Sequence, residues 1–132
     1  MVEVELRRIT INDTGDKQYI TLGEKTGHRH LTIVIGYQEA QAIDRFVKGL
    51  EMPRPMTHEL AASLIGAGGS EVERIEVTKL DEGTFYAVIR LRRIDGSIVE
   101  VDSRPSDAIA LATAMTKPIF IAETVMDEAA LD

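Results

Sequence analysis

DSRPSDAIALA, residues 102–112, carries the strongest indication of the fold, because a strand ends in it and a helix begins. Pro105 suits the first helical position, because the backbone N–H that proline lacks would have no partner within the helix there, whichever residue stood at that position. Asp107 follows in the first turn, where a carboxylate favours the positive end of the helix dipole. Within residues 108–115 only Thr113 interrupts the apolar side chains, and a helix that is apolar on every side is normally buried on every side. The stretch therefore predicts a buried central helix whose charged start lies at the rim of the core. Burial shifts pKa values at such a position, and the helix dipole favours an anion there.

Seven strands follow from the alternation of apolar and polar side chains. They are predicted at residues 2–11, 18–22, 31–35, 72–80, 85–92, 98–101 and 119–121. In the first strand the apolar side chains change parity at Arg7-Arg8, from Val4 and Leu6 to Ile9. A strand that changes parity contains one extra residue, so we expect a β-bulge there.

Apolar side chains at helical spacing predict three further helices. They cover residues 39–50, 57–65 and 124–131. Thr57 is expected to cap the second of these helices through its hydroxyl group. Gly68-Gly69 then separates this helix from the fourth strand.

Three strands followed by a helix thus occur twice along the chain. Ala42-Ile43 and Ala108-Ile109 occupy matching places in the two helices and lie 66 residues apart, which is half of the 132 residues. We therefore expect an internal duplication with halves of about 1–66 and 67–132. The predicted fold class is α+β: a single domain over residues 1–132, with a mixed or antiparallel, barrel-like sheet and helices packed against it.

The composition fits one folded domain. With 44% hydrophobic residues, a chain of 132 residues can bury about 65 to 70% of its unfolded surface. There is no cysteine, which excludes disulfides, thiolate metal ligands and thiol nucleophiles. No apolar run approaches the ~20 residues of a membrane span, and the first residues, VEVELRR at 2–8, do not resemble a leader. We therefore expect a cytoplasmic protein without a membrane partner.

The formal net charge of −7 counts against nucleic-acid binding through bulk attraction. Any basic surface must therefore be local. The candidates are Arg7-Arg8, GHRH at 27–30 and RLRR at 90–93. Arg90 and Arg92 share one face of a predicted strand, where they either hold phosphates or belong to a solvated face, which is commoner. His28 and His30 lack a third ligand and are interpreted as surface residues rather than metal ligands.

Two polar clusters of similar sequence precede helices. The first offers Arg54, Thr57, His58 and Glu59, and the second offers Arg104, Ser106 and Asp107. Arginine binds phosphate with two parallel hydrogen bonds, hydroxyl groups donate to phosphate oxygens, and histidine transfers protons near neutral pH. Carboxylates can hold a divalent cation or act as a general base, so the set suits phosphodiester hydrolysis. It equally suits internal bridges between arginine and carboxylate that fasten helix ends.

Several motifs, in this order, resemble a known family, the bifunctional nuclease (BFN) domain proteins. The motifs are IVIG at 33–36 with Glu39-Ala40, RPMTHEL at 54–60, DEGTFYA at 81–87 and RPSDAIALA at 104–112. The resemblance runs from about Val4 to Val125 and implies an α+β domain of duplicated strand–helix units, often a homo-oligomer, with nuclease activity on DNA and RNA. In the family the acid after His58 is usually aspartate, whereas Glu59 keeps the charge and is one methylene longer.

Matching the family motifs to this sequence nominates residues of both clusters for one composite site. The nominated residues are His58, Glu59 and Asp107 for catalysis, Arg54, Thr57, Arg104 and Ser106 for phosphate binding, and Asp102 with Asp107 for a metal ion. The expected cofactor is magnesium or manganese, with no organic cofactor. The expected partners are DNA, RNA and further copies of the chain, in a dimer or a larger homo-oligomer. The alternative is a noncatalytic oligomeric or regulatory module in which the Arg-Pro motifs are structural bridges; a small-anion sensor is a third interpretation.

Overall fold

The computed structural model describes residues 1–15 and 17–132, and its strands and helices occur in the predicted order. The strands are β1 (Val2–Thr10), β2 (Gln18–Glu24), β3 (His30–Ile35), β4 (Glu71–Asp81), β5 (Thr84–Arg92), β6 (Ile98–Ser103) and β7 (Ile119–Ile121). The helices are α1 (Tyr37–Lys48), α2 (Thr57–Ala67), α3 (Pro105–Met115) and α4 (Glu123–Ala129). In the part of the chain so described, no helix is both long and apolar enough to cross a membrane.

The seven strands form one mixed sheet with the order β3-β2-β1-β7-β4-β5-β6. β1 to β3 are an antiparallel meander, and so are β4 to β6. The short strand β7 joins the two meanders, since it pairs antiparallel with β1 and parallel with β4. β3 and β6 are the two edges, so the sheet is not closed. It curls far enough, however, that β3 lines one cleft with the start of β5 and the start of α3, which makes the sheet loosely barrel-like.

The predicted β-bulge in β1 is confirmed. The register between β1 and β2 shifts between Leu6 and Arg8, which leaves Arg7 as the extra residue. Leu6 and Ile9 consequently both pack against the hydrophobic core although their parity differs. The bulge therefore contains the two consecutive arginines, Arg7 and Arg8.

α3 lies at the centre of the core, as its apolar sequence predicts. All residues from Pro105 to Ala112 are buried except Asp107. α3 packs against α1 and α2 on one side and against β4 and β5 on the other. Ile109 is fully buried in this cluster, and burial of such a side chain contributes about 1.5 to 3 kcal/mol. Because α3 is enclosed, only its first turn can contribute charged side chains to the surface.

α2 differs from α3 in both burial and capping. No residue of α2 is buried, and Leu60 and Leu64 are 51% and 64% exposed. The prediction that Thr57 caps α2 is wrong, since Met56 is the N-cap residue and Thr57 is the first helical residue. The carboxylate of Glu59 instead accepts a hydrogen bond from the Met56 backbone N–H at 3.0 Å, which satisfies a donor at the start of the helix.

The two Arg-Pro motifs are therefore structurally different. Pro105 is the first residue of α3, as predicted, whereas Pro55 precedes the N-cap of α2. Each meander is followed by a helix, α1 after the first and α3 after the second, which is the pattern that the duplication hypothesis requires. The internal duplication stays a prediction.

Candidate functional site

The helix starts meet at one cleft of about 570 Å³. Its walls come from α1, from the start of α2 and from the start of α3. Only the first turn of α3 takes part, because the rest of this helix is enclosed in the core. The lining residues are Gln38, Glu39, Gln41, Ala42, Arg45, Met56, Thr57, His58, Ala61, Arg104 and Asp107. The cleft therefore combines residues of the two polar clusters with residues of α1.

Asp107 is the centre of the polar network in this cleft. Its Oδ1 lies 2.9 Å from Nε2 of His58. Its Oδ2 accepts a hydrogen bond from Nε of Arg104 at 2.9 Å and lies 2.8 Å from Nη2 of the same guanidinium. An ionised carboxylate can only accept hydrogen bonds, so Nε2 of His58 is the donor in this contact, and Nδ1 is the nitrogen left to exchange a proton. The His58 side chain is only 12% exposed, and it still lines the cleft.

The charges of this network are mutually stabilising. Burial raises the pKa of Asp107, but the hydrogen bonds from His58 and Arg104 outweigh burial and hold that pKa below its usual value. The hydrogen bond from Arg104 to Asp107 raises the pKa of the guanidinium in turn. Asp107 is therefore a carboxylate and Arg104 a cation over the whole neutral range.

Two charged residues of α1, Glu39 and Arg45, belong to the cleft and were not predicted. Oε2 of Glu39 lies 3.6 Å from Nη2 of Arg104, and Nη2 of Arg45 donates to Oε1 of Glu59 at 3.2 Å. Arg45 follows the buried Ala42 by three residues and so lies on the inner side of an amphipathic helix, which is the signal that could have identified it. Glu59 thereby holds α1 and the start of α2 together.

The other predicted site residues lie at the border of the cleft or outside it. Thr57 is exposed and lines the cleft, whereas Arg54 is exposed in the loop before α2 and does not line it. Ser106 is 6% exposed and lines a neighbouring cleft along β3, which it shares with Arg104. Asp102 is exposed on β6, opposite Val88 of β5. The structure thus brings together His58, Arg104 and Asp107, with Thr57 and Glu59 next to them.

The donor groups in the cleft do not fit a divalent cation well. Among residues 1–15 and 17–132, no three side chains of His, Cys, Asp or Glu are grouped so that they could hold a metal ion. Both oxygens of Asp107 are already engaged by His58 and Arg104, and a positive guanidinium next to the carboxylate opposes a second cation. The metal role of Asp102 and Asp107 stays a prediction.

Comparison with known proteins agrees with the motif resemblance. The family model of the bifunctional nuclease domain matches residues 20–132. Two curated relatives from Mycobacterium tuberculosis, uncharacterized protein MT1877 of strain CDC 1551 and uncharacterized protein Rv1829 of strain H37Rv, are each 37% identical over 131 residues. The match covers 99% of this chain and 77% of each relative. The chain belongs to the bifunctional nuclease domain family.

Proposed function

We propose that this protein is a nuclease that hydrolyses phosphodiester bonds in DNA and RNA, with the cleft at the helix starts as its active site. The observation that carries the proposal is the contact of one carboxylate, Asp107, with a histidine on one side and an exposed arginine on the other. The family description supports the same chemistry. A base, a group that orients the base, and a phosphate-binding cation are the parts that such a hydrolysis requires.

His58 is the general base and then the general acid. Nδ1 of its ring takes the proton from the attacking oxygen, which belongs to water or, in RNA, to the neighbouring 2′-hydroxyl group. The bond from this oxygen to phosphorus forms, the bond from phosphorus to the leaving oxygen breaks, and the imidazolium returns the proton to the leaving oxygen. Asp107 keeps the ring in the required tautomer and stabilises the imidazolium.

Arg104 binds the phosphate. Its side chain is 65% exposed although Asp107 and Glu39 hold it from one side, so the remaining N–H groups are open to a ligand. Thr57 lines the same cleft, and a hydroxyl group there can donate to a phosphate oxygen. Glu59 is a positioning residue in this mechanism, since it acts through Arg45 and the start of α2.

The experiment is cleavage of labelled single-stranded DNA and RNA by the wild-type protein, His58→Ala and Asp107→Asn. Glu71→Gln is the matched control, because Glu71 is an exposed acid on β4 outside the cleft. Loss of the general base reduces the rate by about 100-fold to 10,000-fold, and Glu71→Gln retains the wild-type rate. Reactions with a chelator and with magnesium or manganese test the metal prediction separately.

Two outcomes count against the proposal in different ways. If His58→Ala and Asp107→Asn both cleave at the wild-type rate, the site is wrongly assigned and a contaminating nuclease is the source of the activity. If the wild-type protein cleaves no DNA or RNA substrate under any metal condition, the function itself is wrongly assigned.

The exposed apolar surface of α2 favours a second candidate, a noncatalytic oligomeric module. Met52, Met56, Leu60 and Leu64 are between 43% and 64% exposed and follow one another through the loop and α2. In this alternative the contact of His58 with Asp107 only fastens α2 to α3. Asp107→Asn then lowers the melting temperature or dissociates an oligomer, which calorimetry and light scattering detect, while no cleavage is found in any variant.

A further inference from the structure

A second cleft, of about 500 Å³, lies on the outer face of the first meander. Two basic stretches that are far apart in the sequence meet in it, Arg7-Arg8 of β1 and residues 28–30 before and at the start of β3. Five of its nine lining residues are arginine or histidine and none is acidic, although the chain as a whole carries a net charge of −7. Three arginines and no carboxylate therefore line this cleft, in contrast to the negative net charge of the chain.

The floor of the cleft is polar and able to donate hydrogen bonds. Arg8 lies opposite Thr21, and Thr21 lies opposite Thr32, so these three side chains form one row across β1, β2 and β3. The hydroxyl oxygens of Thr21 and Thr32 are 3.1 Å apart. Hydroxyl donors between cations are suited to bind phosphate oxygens.

Gly23 opens the next row of the floor. It lies between Glu5 of β1 and His30 of β3, and it carries no side chain. A Cβ atom at Gly23 would lie 2.6 Å from Nε of Arg7, because the Arg7 side chain crosses the sheet at this point. Nη2 of Arg7 donates to the carbonyl oxygen of Glu24 at 2.8 Å, which holds the guanidinium in place. The missing side chain thus makes room for a fixed cation.

The cations of the cleft divide into paired and available ones. Arg29 is bound by Glu24, Glu123 and Asp127, and its hydrogen bond to Glu24 raises the pKa of its guanidinium, so its charge is locally balanced. Arg7 is also paired, because its Nη2 lies 3.3 Å from Oε1 of Glu5. Arg8 is exposed and makes no ion pair with any carboxylate among residues 1–15 and 17–132. The positive charge that remains for a ligand is therefore that of Arg8, which lies in one row with Thr21 and Thr32.

Shared lining residues link this cleft, through a third one, to the proposed active site. Thr32 lines both the basic cleft and the cleft along β3, and Arg104 lines both the cleft along β3 and the cleft at the helix starts. β3, from His30 to Ile35, spans about 17 Å between these ends. A ligand that fills the whole path must be extended and must carry phosphates at intervals.

We propose that the basic cleft binds the backbone phosphates of a single-stranded nucleic acid whose scissile bond lies in the cleft at the helix starts. The proposal rests on the proposed nuclease function for the identity of the ligand. Arg8 and the hydroxyl groups of Thr21 and Thr32 bind phosphates outside the cleaved bond, and they contribute affinity rather than chemistry. Free phosphate and mononucleotides carry the same group but cannot span the path.

The test is fluorescence anisotropy with a labelled 20-nucleotide single-stranded DNA and the matching RNA, in a His58→Ala background so that the strands stay intact. Arg8→Ala is compared with Arg8→Lys, which keeps the charge, and with Arg93→Ala, which removes one exposed arginine from the turn between β5 and β6. We expect Arg8→Ala to weaken binding several-fold and to lower the slope of log K against log salt concentration by about 0.7. Arg8→Lys restores the slope, and Arg93→Ala changes neither quantity.

The proposal is overturned if Arg8→Ala binds the 20-nucleotide strands as tightly as its parent, or if Arg93→Ala weakens binding equally. It is also overturned if thymidine monophosphate binds as tightly as the long strand, because the cleft is then a small-anion site. Circular dichroism of each variant shows whether it folds. Cleavage by the wild-type protein is measured on the same strands. Binding that depends on Arg8 without any cleavage supports phosphate binding in the basic cleft and contradicts the proposed nuclease function, including the place given to the scissile bond.

Discussion

The contact between His58 and Asp107 predicts a measurable coupling energy between α2 and α3. The two residues lie on different helices and 49 positions apart in the chain, and their side chains meet at 2.9 Å. A double-mutant cycle with His58→Ala, Asp107→Ala and the combined variant isolates this contact from the other effects of each substitution.

The structure sets the size of the coupling. A hydrogen bond to a charged group contributes about 1.5 to 3 kcal/mol, and His58 is only 12% exposed, so little water competes for the bond. Asp107 is 35% exposed and is also held by Arg104, so we expect the coupling energy to lie at the lower end of this range. We therefore expect a coupling of about 1.5 kcal/mol, equivalent to about 5 °C in the melting temperature of a domain of this size.

The assay is urea unfolding at pH 7, followed by circular dichroism, with the free energy extrapolated to water for each of the four proteins. The pair of Arg92 and Glu71 provides a matched control, because both side chains are largely exposed and their coupling is expected to be smaller. Additivity of the two single substitutions within about 0.5 kcal/mol would refute the reasoning, since independent sites add to that accuracy. The site would then lack the contact on which the proposed mechanism depends.

Two further predictions concern the stability of the fold at low pH and the different contributions of buried and exposed apolar side chains to that stability. The hydrogen bonds to Asp107 lower its pKa in the folded protein, so their stabilisation is complete above about pH 4 and is lost as the pH falls further. The difference in unfolding free energy between wild type and Asp107→Asn should therefore shrink between pH 6 and pH 3 in urea titrations, and a constant difference would contradict an ionised Asp107. Ile109→Ala should destabilise the fold by about 2 to 5 kcal/mol because Ile109 is fully buried, whereas Leu64→Ala on the exposed face of α2 should change stability by less than about 0.5 kcal/mol. Calorimetry of the two variants checks this, and equal losses would show that α2 is covered in solution.

Most elements of the fold could be predicted because each depends on a local pattern. Alternation of apolar side chains identifies the strands, and the parity change at Arg7-Arg8 identified the bulge. The apolar sequence after Asp107 predicted the burial of α3. The cap of α2 was predicted wrongly, because two side chains, Thr57 and Glu59, can satisfy the same helix start and sequence does not show which one reaches it.

The site was predictable only in part. Residues of both polar clusters were expected to approach one another, and His58, Arg104 and Asp107 do so. Glu39 and Arg45 were missed, since charges on an amphipathic helix are usually solvated. The spacing of Arg45 from Ala42 indicates the inner side of α1, but it does not show that α2 and α3 lie beside that side.

The sequence by itself determined the strands and helices, the central position of α3 and the polar residues at its start. Apolar periodicity is a local property, and burial of the apolar face stabilises a segment whichever element it packs against. Only the tertiary structure decided which polar groups meet. The insertion of β7 between β1 and β4 sets the order of the sheet, and the packing of α1 and α2 on α3 brings His58 to Asp107. The same curled sheet places Arg8 beside Thr21 and Thr32, on a path of clefts that ends at Arg104. These contacts join residues far apart in the chain, so they depend on how the strands and helices pack together and not on the pattern within any one of them.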